Sequence, residues 1–175
     1  DLEEARSTFE EMCERTVVTW NALLGAYSNN YRGREEEALH LFMEMQQEGV
    51  MPDEVTFINM LHSCKNSLKG RELHASIRSN TSTMLETALV CMYGKLGDTE
   101  NAQDVFDNMC SRDLICWTTM ITAYIEKGES RNALRIFRLL EKEKIKPDEV
   151  CFVGILTACA NLTSLNDGRE VHMQV

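Results

Sequence analysis

The sequence predicts an all-α fold, a right-handed α-solenoid of tandem antiparallel helix-turn-helix repeats, and three observations predict it. The first is a stripe, Ala-x-x-x-Phe-x-x-Met, that returns as Ala5/Phe9/Met12, Ala38/Phe42/Met45, Ala102/Phe106/Met109 and Ala133/Phe137/Leu140. A sister stripe, Gly70/His74/Ile77 and Gly168/His172/Val175, fills the gaps, so that successive first positions lie 33, 32, 32, 31 and 35 residues apart. Helical spacing carried on such a period marks stacked helical hairpins in place of one closed core. The second is a longer period. Arg15-Thr16-Val17-Val18-Thr19-Trp20-Asn21 returns 97 residues later as Arg112-Asp113-Leu114-Ile115-Cys116-Trp117-Thr118, and Pro52-Asp53-Glu54-Val55 returns 95 later as Pro147-Asp148-Glu149-Val150. Gly70-Arg71-Glu72-Leu73-His74 returns 98 later as Gly168-Arg169-Glu170-Val171-His172, so three kinds of hairpin alternate in fixed order. Third, turn-forming residues fall between the stripes. Small offsets in the register mark loop insertions, one near Tyr31-Arg32.

Each element follows in order. Ala5/Phe9/Met12 places a second helix over 2–13, and Trp20, Leu23, Leu24 and Tyr27 place a first helix over 18–30, ended by Asn29-Asn30. Ala38, Leu41, Phe42 and Met45 give a second helix over 34–48 that stops at Gly49. Pro52 blocks further helix and leaves Asp53 as the N-cap of a first helix over 54–66. Gly70 and His74 mark 69–79; the next first helix spans 84–96 and breaks at Gly97-Asp98 before 98–109. Trp117, Met120, Ile121 and Tyr124 mark 114–127, ended by Gly128, and Ala133, Ile136, Phe137 and Leu140 mark 129–144. Pro147 and Asp148 open 149–161, and Asn166-Asp167-Gly168 precedes a helix over 165–175. The Trp20 stripe is expected to face the Ala38 stripe, and the Trp117 stripe the Ala133 stripe, with small Ala or Gly allowing close approach. His74 and His172 stand in register with core Phe, which reads as packing, not ligation. His62 and Cys64, two apart on a helix, point to different faces and make poor joint ligands.

Composition narrows the function. The net charge of −10 argues against sequence-blind nucleic-acid binding, since a phosphate backbone rewards net positive surface. The distribution is less hostile: Arg32, Arg34, Lys65, Lys69, Arg71, Lys95, Lys127 and Arg131 fall at or just after turns, while Glu3-Glu4, Glu35-Glu36-Glu37 and Glu141 to Glu143 crowd second helices. A solvated acidic face opposite a mildly basic edge fits this pattern, as does an ordinary array of exposed helices. Cys13, Cys64, Cys91, Cys110, Cys116, Cys151 and Cys159 are odd in number and contain no Cys-x-x-Cys, unlike a disulfide framework or zinc site. They read as small buried apolar groups in a reducing compartment. No apolar run approaches 18 residues, so no membrane span is expected. The chain starts at a second helix and stops inside another hairpin, as expected of a fragment of a longer array. No phosphate-gripping Gly loop, Gly-x-Ser-x-Gly, His-Glu-x-x-His or zinc-deaminase motif is present, and neither an enzyme, a metal, a cofactor nor a small-molecule substrate is expected.

The hairpins resemble the tetratricopeptide and pentatricopeptide superfamily, and the details favour the pentatricopeptide side. Val17-Val18-Thr19-Trp20-Asn21-Ala22-Leu23-Leu24 and Leu114-Ile115-Cys116-Trp117-Thr118-Thr119-Met120-Ile121 resemble its opening segment, and Glu48-Gly49-Val50-Met51-Pro52-Asp53 and Lys144-Ile145-Lys146-Pro147-Asp148 its closing one. The three-beat order is similar to the plant-type array of alternating long, sister and short motifs. On this alignment a single array comprises a partial repeat 1–16, repeats 17–53, 54–82, 83–113 and 114–148, and a partial repeat 149–175.

The resemblance implies sequence-specific binding of single-stranded RNA, one base per repeat. It pairs the residue after each first-helix aromatic with the last residue of the same repeat, here Asn21 with Asp53, Thr87 with Asp113, and Thr118 with Asp148. The sister unit departs, offering Ile58 with Ser82, and the last partial unit offers Val153. Val18, Val55, Met84, Ile115 and Val150 would wedge against base faces, and Lys95 and Lys127 would meet phosphates. The chemistry is reasonable: an Asn amide carries donor and acceptor for a pyrimidine edge, and Thr with a carboxylate suits the donors of guanine. Asp53, Asp113 and Asp148 fit N-caps equally well, and the two roles are compatible. The implied role is that of an organellar RNA-processing factor, in mitochondrion or chloroplast, with C-to-U editing performed by a carboxy-terminal extension and other RNA-processing proteins as partners. The alternative is a tetratricopeptide-type protein-interaction scaffold, favoured by the negative charge and by the Trp-x-x-Leu…Tyr…Ala…Phe spacing that the families share.

Overall fold

The computed structural model describes residues 2–28, 34–77 and 81–162, and these are all-α, with no strand among the described residues. The helix over 165–175, with His172, and the insertion near Tyr31-Arg32 lie outside the described residues. Two compact units are present, Asp1–Thr81 and Ser82–Val175.

The first unit contains α1 (Leu2–Glu10), α2 (Val17–Ser28), α3 (Glu35–Gln47), α4 (Glu54–Ser63) and α5 (Ser67–Ser76). Helix α2 packs on α1, on its own second helix α3 and on the next first helix α4. The two expected stripes form the core: Trp20, Leu23, Leu24 and Tyr27 on one side, and Ala38, Leu41, Phe42 and Met45 on the other, are all buried. Arg15 ties the entry to α2. Its guanidinium lies 5.1 Å from the Phe9 ring centroid, and Phe9 meets Trp20 edge-on at 4.5 Å. The same group donates to the Glu10 carbonyl at 3.2 Å, so a cation satisfies an orphan carbonyl at the end of α1.

The second unit contains α6 (Thr83–Lys95), α7 (Thr99–Asn108), α8 (Leu114–Glu126), α9 (Ser130–Lys142) and α10 (Glu149–Asn161). It repeats the same device. Arg112 lies 4.8 Å from the Phe106 centroid, Phe106 meets Trp117 edge-on at 4.9 Å, and Arg112 Nε donates to the Phe106 carbonyl at 2.7 Å. Second helices reach the following first helix through a ring pair, Phe42 with Phe57 at 6.1 Å in one unit and Phe137 with Phe152 at 6.2 Å in the other. First helices pack directly on one another, α2 with α4, α6 with α8 and α8 with α10, while second helices meet through long polar side chains, Arg6 with Glu44 at 3.5 Å and Arg135 with Gln103 at 3.3 Å. The tight side of each unit is therefore the first-helix side, and small residues permit it: a Cβ added at Gly94 would come within 2.7 Å of Ala123 Cβ.

Helix ends follow local chemistry. Asp53, Asp113 and Asp148 cap α4, α8 and α10 by accepting from the backbone N–H three residues on. Gly49 closes α3 at φ +77° while Val50 N–H donates to the Met45 carbonyl at 3.1 Å. Lys144 closes α9 in the same way at φ 58°, where a side chain is strained. Helix α5 starts earlier than its stripe suggests, at Ser67, because Asn66 Oδ1 accepts from the Leu68 and Lys69 N–H groups. Met12, beyond the end of α1 at Glu10, is exposed, whereas Met45 within α3 and Met109, the C-cap of α7, are buried. All seven cysteines are free, four of them buried, and His74 is half-buried, its pKa lowered by burial.

Candidate nucleic-acid interface

Each first helix repeats one layout. Its second residue is apolar and exposed: Val18 is 71% exposed, Val55 51%, Met84 68%, Ile115 66% and Val150 60%. Five large apolar side chains held in water at one helical position are not core; burial would have been the cheaper arrangement. One turn on stand Asn21, Thr87 and Thr118, each half-buried. The corresponding positions of α4 and α10 carry half-buried Ile58 and exposed Val153, neither of which can hydrogen-bond a base edge.

The structure brings Asn21 and Asp53 together. Asn21 Nδ2 donates to Asp53 Oδ1 at 2.8 Å, although the residues are 32 apart in sequence. Thr56 joins them: its N–H donates to Asp53 Oδ1 at 2.9 Å, and its hydroxyl donates to Asn21 Oδ1 at 2.7 Å. Asn59 Nδ2 reaches the Asn21 carbonyl at 3.1 Å and secures the α2–α4 contact. Burial pushes the Asp53 pKa up, but hydrogen bonds from the Thr56 N–H, the Asn21 amide, the Thr56 hydroxyl and the Val55 N–H outweigh it, and the net shift is downward. The carboxylate is thereby held ionised.

Thr118 and Asp148 meet through an intermediary. The Thr118 hydroxyl lies 3.0 Å from Cys151 Sγ, and the Cys151 N–H donates to Asp148 Oδ1 at 2.8 Å. Cys116 departs from this: Asp113 accepts from its N–H at 2.9 Å, but its thiol donates to Met109 Sδ at 3.1 Å, and the Thr87 hydroxyl donates to the Thr83 carbonyl at 2.8 Å. Ile115, Thr118, Asp148 and Lys95 line one cleft of about 310 Å³, together with Thr119 and Thr122. That volume sits at the lower end of the range for small-ligand clefts.

The two lysines differ. Lys95 is exposed on the wall of that cleft. Lys127 lies past the end of α8, where its ammonium donates to Thr99 Oγ1 at 2.8 Å and pairs with Glu129 at 3.1 Å. Of the basic residues near the turns, Arg34 pairs with Glu37 at 3.4 Å and with Glu3 at 3.9 Å, so part of that positive charge is already compensated. Sequence reasoning missed Thr56 and Cys151. A signal existed: each follows an exposed wedge residue, in Val55-Thr56 and Val150-Cys151.

Antiparallel helix pairs in tandem, with exposed apolar and half-buried polar side chains in register on the first helices, define a helical-repeat protein. Comparison with known proteins specifies the kind. The PPR repeat family model matches residues 15–66 and 112–161, and a PPR repeat model matches 87–114. The chain belongs to the pentatricopeptide repeat family. Relatives in Arabidopsis thaliana include a pentatricopeptide repeat-containing protein 37% identical over 180 residues, a chloroplastic one 35% identical over 179, and a mitochondrial one 31% identical over 177. These alignments take in 97%, 100% and 97% of this chain but only 31%, 22% and 38% of the relatives, so the chain spans well under half of their length. The compartments named for these relatives are organellar, and the chain is assigned to mitochondrion or chloroplast. Among solved structures, the pentatricopeptide repeat protein PPR10 in complex with an 18-nt psaJ RNA element superposes at a TM-score of 0.77. It is 16% identical, with 95% of this chain and 26% of that one covered, and it shares the helical-repeat solenoid fold.

Proposed function

We propose that this chain is a sequence-specific single-stranded RNA-binding module that reads one base per repeat. The observation that carries the reading is the cleft of the second unit, which gathers a wedge (Ile115), a reader (Thr118), a closing carboxylate (Asp148) and a phosphate-seeking cation (Lys95) within one volume. Stacking on exposed apolar side chains supplies affinity to any base, and the polar pairs supply choice. The RNA complex of PPR10 supports the ligand class. The net charge of −10 then means that affinity leans on base contacts more than on phosphate neutralisation. The three reading pairs, taken with the amino terminus toward the 5′ end, give 5′-U-n-G-G-n-3′, with n under each sister unit. The long, sister and short motifs of the plant-type array fit an organellar RNA-processing factor. C-to-U editing is the process we assign, with these repeats choosing the target and other RNA-processing proteins as partners.

The test is a base swap at one reader. Thr118→Asn should move preference at the fourth base from G toward U by about 1–3 kcal/mol, measured by competition binding with the four bases at that position. Lys95→Ala should weaken all four RNAs alike and lower the salt slope by about 0.7. Lys127→Ala should do less, because Glu129 already holds that charge. Unchanged base preference in a Thr118→Asn chain that still binds RNA would reduce Thr118 to a helix-turn hydroxyl and end the reading assignment.

A further inference from the structure

We infer that Thr56 and Cys151, the third residues of α4 and α10, are positioning residues that fix which hydrogen-bonding groups the reader side chain shows to a base. The inference rests on the base-reading proposal above. Both side chains are fully buried, and each meets the reader of the preceding repeat. Thr56 forms a capping box with Asp53, its hydroxyl accepting from the Asp53 N–H at 3.1 Å and lying 2.9 Å from Asp53 Oδ1, while Asp148 accepts from the Cys151 N–H at 2.8 Å. The contact with the reader is made in addition to the cap.

The task differs with the reader. Asn21 can sit in two orientations related by a flip of its amide. Asp53 and Thr56 together remove the choice: Asp53 Oδ1 takes an Asn21 N–H at 2.8 Å, and the Thr56 hydroxyl, 2.9 Å from Asp53 Oδ1, lies nearer to Asn21 Oδ1 at 2.7 Å and donates there. Only one orientation satisfies both partners, because the reverse would set the Asn21 amine against a donor and its oxygen against a carboxylate. One N–H and one lone pair of Asn21 remain, in fixed places. A locked amide distinguishes the O4 acceptor of uracil from the N4 donor of cytosine; a free one accommodates both.

Thr118 has a single hydroxyl hydrogen, and it is directed at the Leu114 carbonyl at 2.9 Å. The contact to Cys151 Sγ at 3.0 Å must then run from the thiol to the hydroxyl oxygen. Burial raises the Cys151 pKa, which keeps that thiol protonated and able to donate. A donor on that side prevents the hydroxyl from rotating its hydrogen away from Leu114, so Thr118 presents a lone pair only. Beside the Asp148 carboxylate, this makes a site of acceptors, suited to the N1–H and N2–H₂ of guanine and hostile to the N1 acceptor of adenine. Thr87 likewise donates to the Thr83 carbonyl at 2.8 Å, but the Cys116 thiol beside it donates to Met109 Sδ at 3.1 Å and gives that reader no second donor.

Three variants of the full chain test this, with short RNAs varied at one base. Cys151→Ala removes the donor and should lower the preference for G over A at the fourth base about three- to tenfold, the worth of one hydrogen bond. Cys151→Ser restores a donor and should keep the preference within about twofold of the unmodified chain. Thr56→Val retains the shape and loses the hydroxyl; it should erode the preference for U over C at the first base. Without RNA, Thr56→Val should also speed solvent exchange of the Asn21 side-chain amide protons seen by NMR, with helicity kept and the melting temperature lowered by the loss of half of the capping box. Preferences that survive both Cys151→Ala and Thr56→Val would overturn the inference and leave base reading standing. No base preference in the unmodified chain would overturn base reading, and this inference with it.

Discussion

Replacing Gly94 with Ala attacks the contact that brings two first helices together. The added Cβ would lie 2.7 Å from Ala123 Cβ, where two carbon atoms are comfortable at about 3.5–4.0 Å. Alanine has no side-chain torsion to rotate away, so α6 and α8 must part by about 1 Å at this crossing. Overpacking of this kind costs about 1–3 kcal/mol, against which Gly→Ala within a helix returns about 1 kcal/mol of backbone propensity. The net expectation is a loss of about 0–2 kcal/mol, too broad to be decisive alone. The double-mutant cycle is decisive. Ala123→Gly on its own forfeits about 1 kcal/mol of helix propensity, but in the Gly94→Ala background it opens the space that the new methyl needs. The pair should show a favourable coupling of about 1–3 kcal/mol in urea unfolding with unchanged m-values. RNA affinity should fall in Gly94→Ala and return in the double variant, because Gly94 and Ala123 line the same cleft as Thr118 and Lys95. Additivity within about 0.5 kcal/mol would refute the close contact as the reason for glycine at this position.

Other outcomes follow from the same structure. Phe137→Ala should cost about 3–5 kcal/mol in chemical denaturation, and Phe42→Ala somewhat less, since the rings are 2% and 8% exposed; an unchanged melt would show that the stripe is not core. Lys144→Gly relieves a residue at φ 58° and should raise stability by about 0.5–1 kcal/mol; no gain would mean that the lysine side chain contributes something offsetting at the end of α9. The folded-state pKa of Asp53 is depressed, so its contribution is present above the ordinary value of 3.8 and is lost as pH falls through the lower folded value. The difference in melting temperature between the unmodified chain and Asp53→Asn should therefore be constant above about pH 5 and shrink below 3.8; a difference independent of pH would place the effect in the cap geometry and not in the charge.

Much of the architecture was legible because helical hairpins are local. The Ala38 and Ala133 stripes are buried as their period requires, and Asp53 and Asp148 cap the helices that Pro52 and Pro147 introduce. Errors came where a single side chain competed with the period. Asn66 starts α5 ahead of the Gly70/His74 stripe, and Met12, beyond the end of α1 at Glu10, is exposed despite its place in the pattern. The positive charge of Lys127 was countable in sequence, but its commitment to Glu129 and Thr99 was not, because that contact joins the ends of three helices.

What the sequence by itself determined is the repeat: helix, turn and cap are fixed by residues a few positions apart, and recurrence multiplies each weak local signal until the period is unambiguous. The resemblance singled out the second position of each first helix, and the side chains there stand exposed. The tertiary structure decided how those groups are wired. Thr56 lies 35 residues from Asn21, and Cys151 lies 33 from Thr118, on neighbouring helices that come close where Gly25 faces Asn59 and Gly154 faces Ile125. Hydrogen bonds depend on angle and on tenths of an ångström, and a pattern of residue types carries neither.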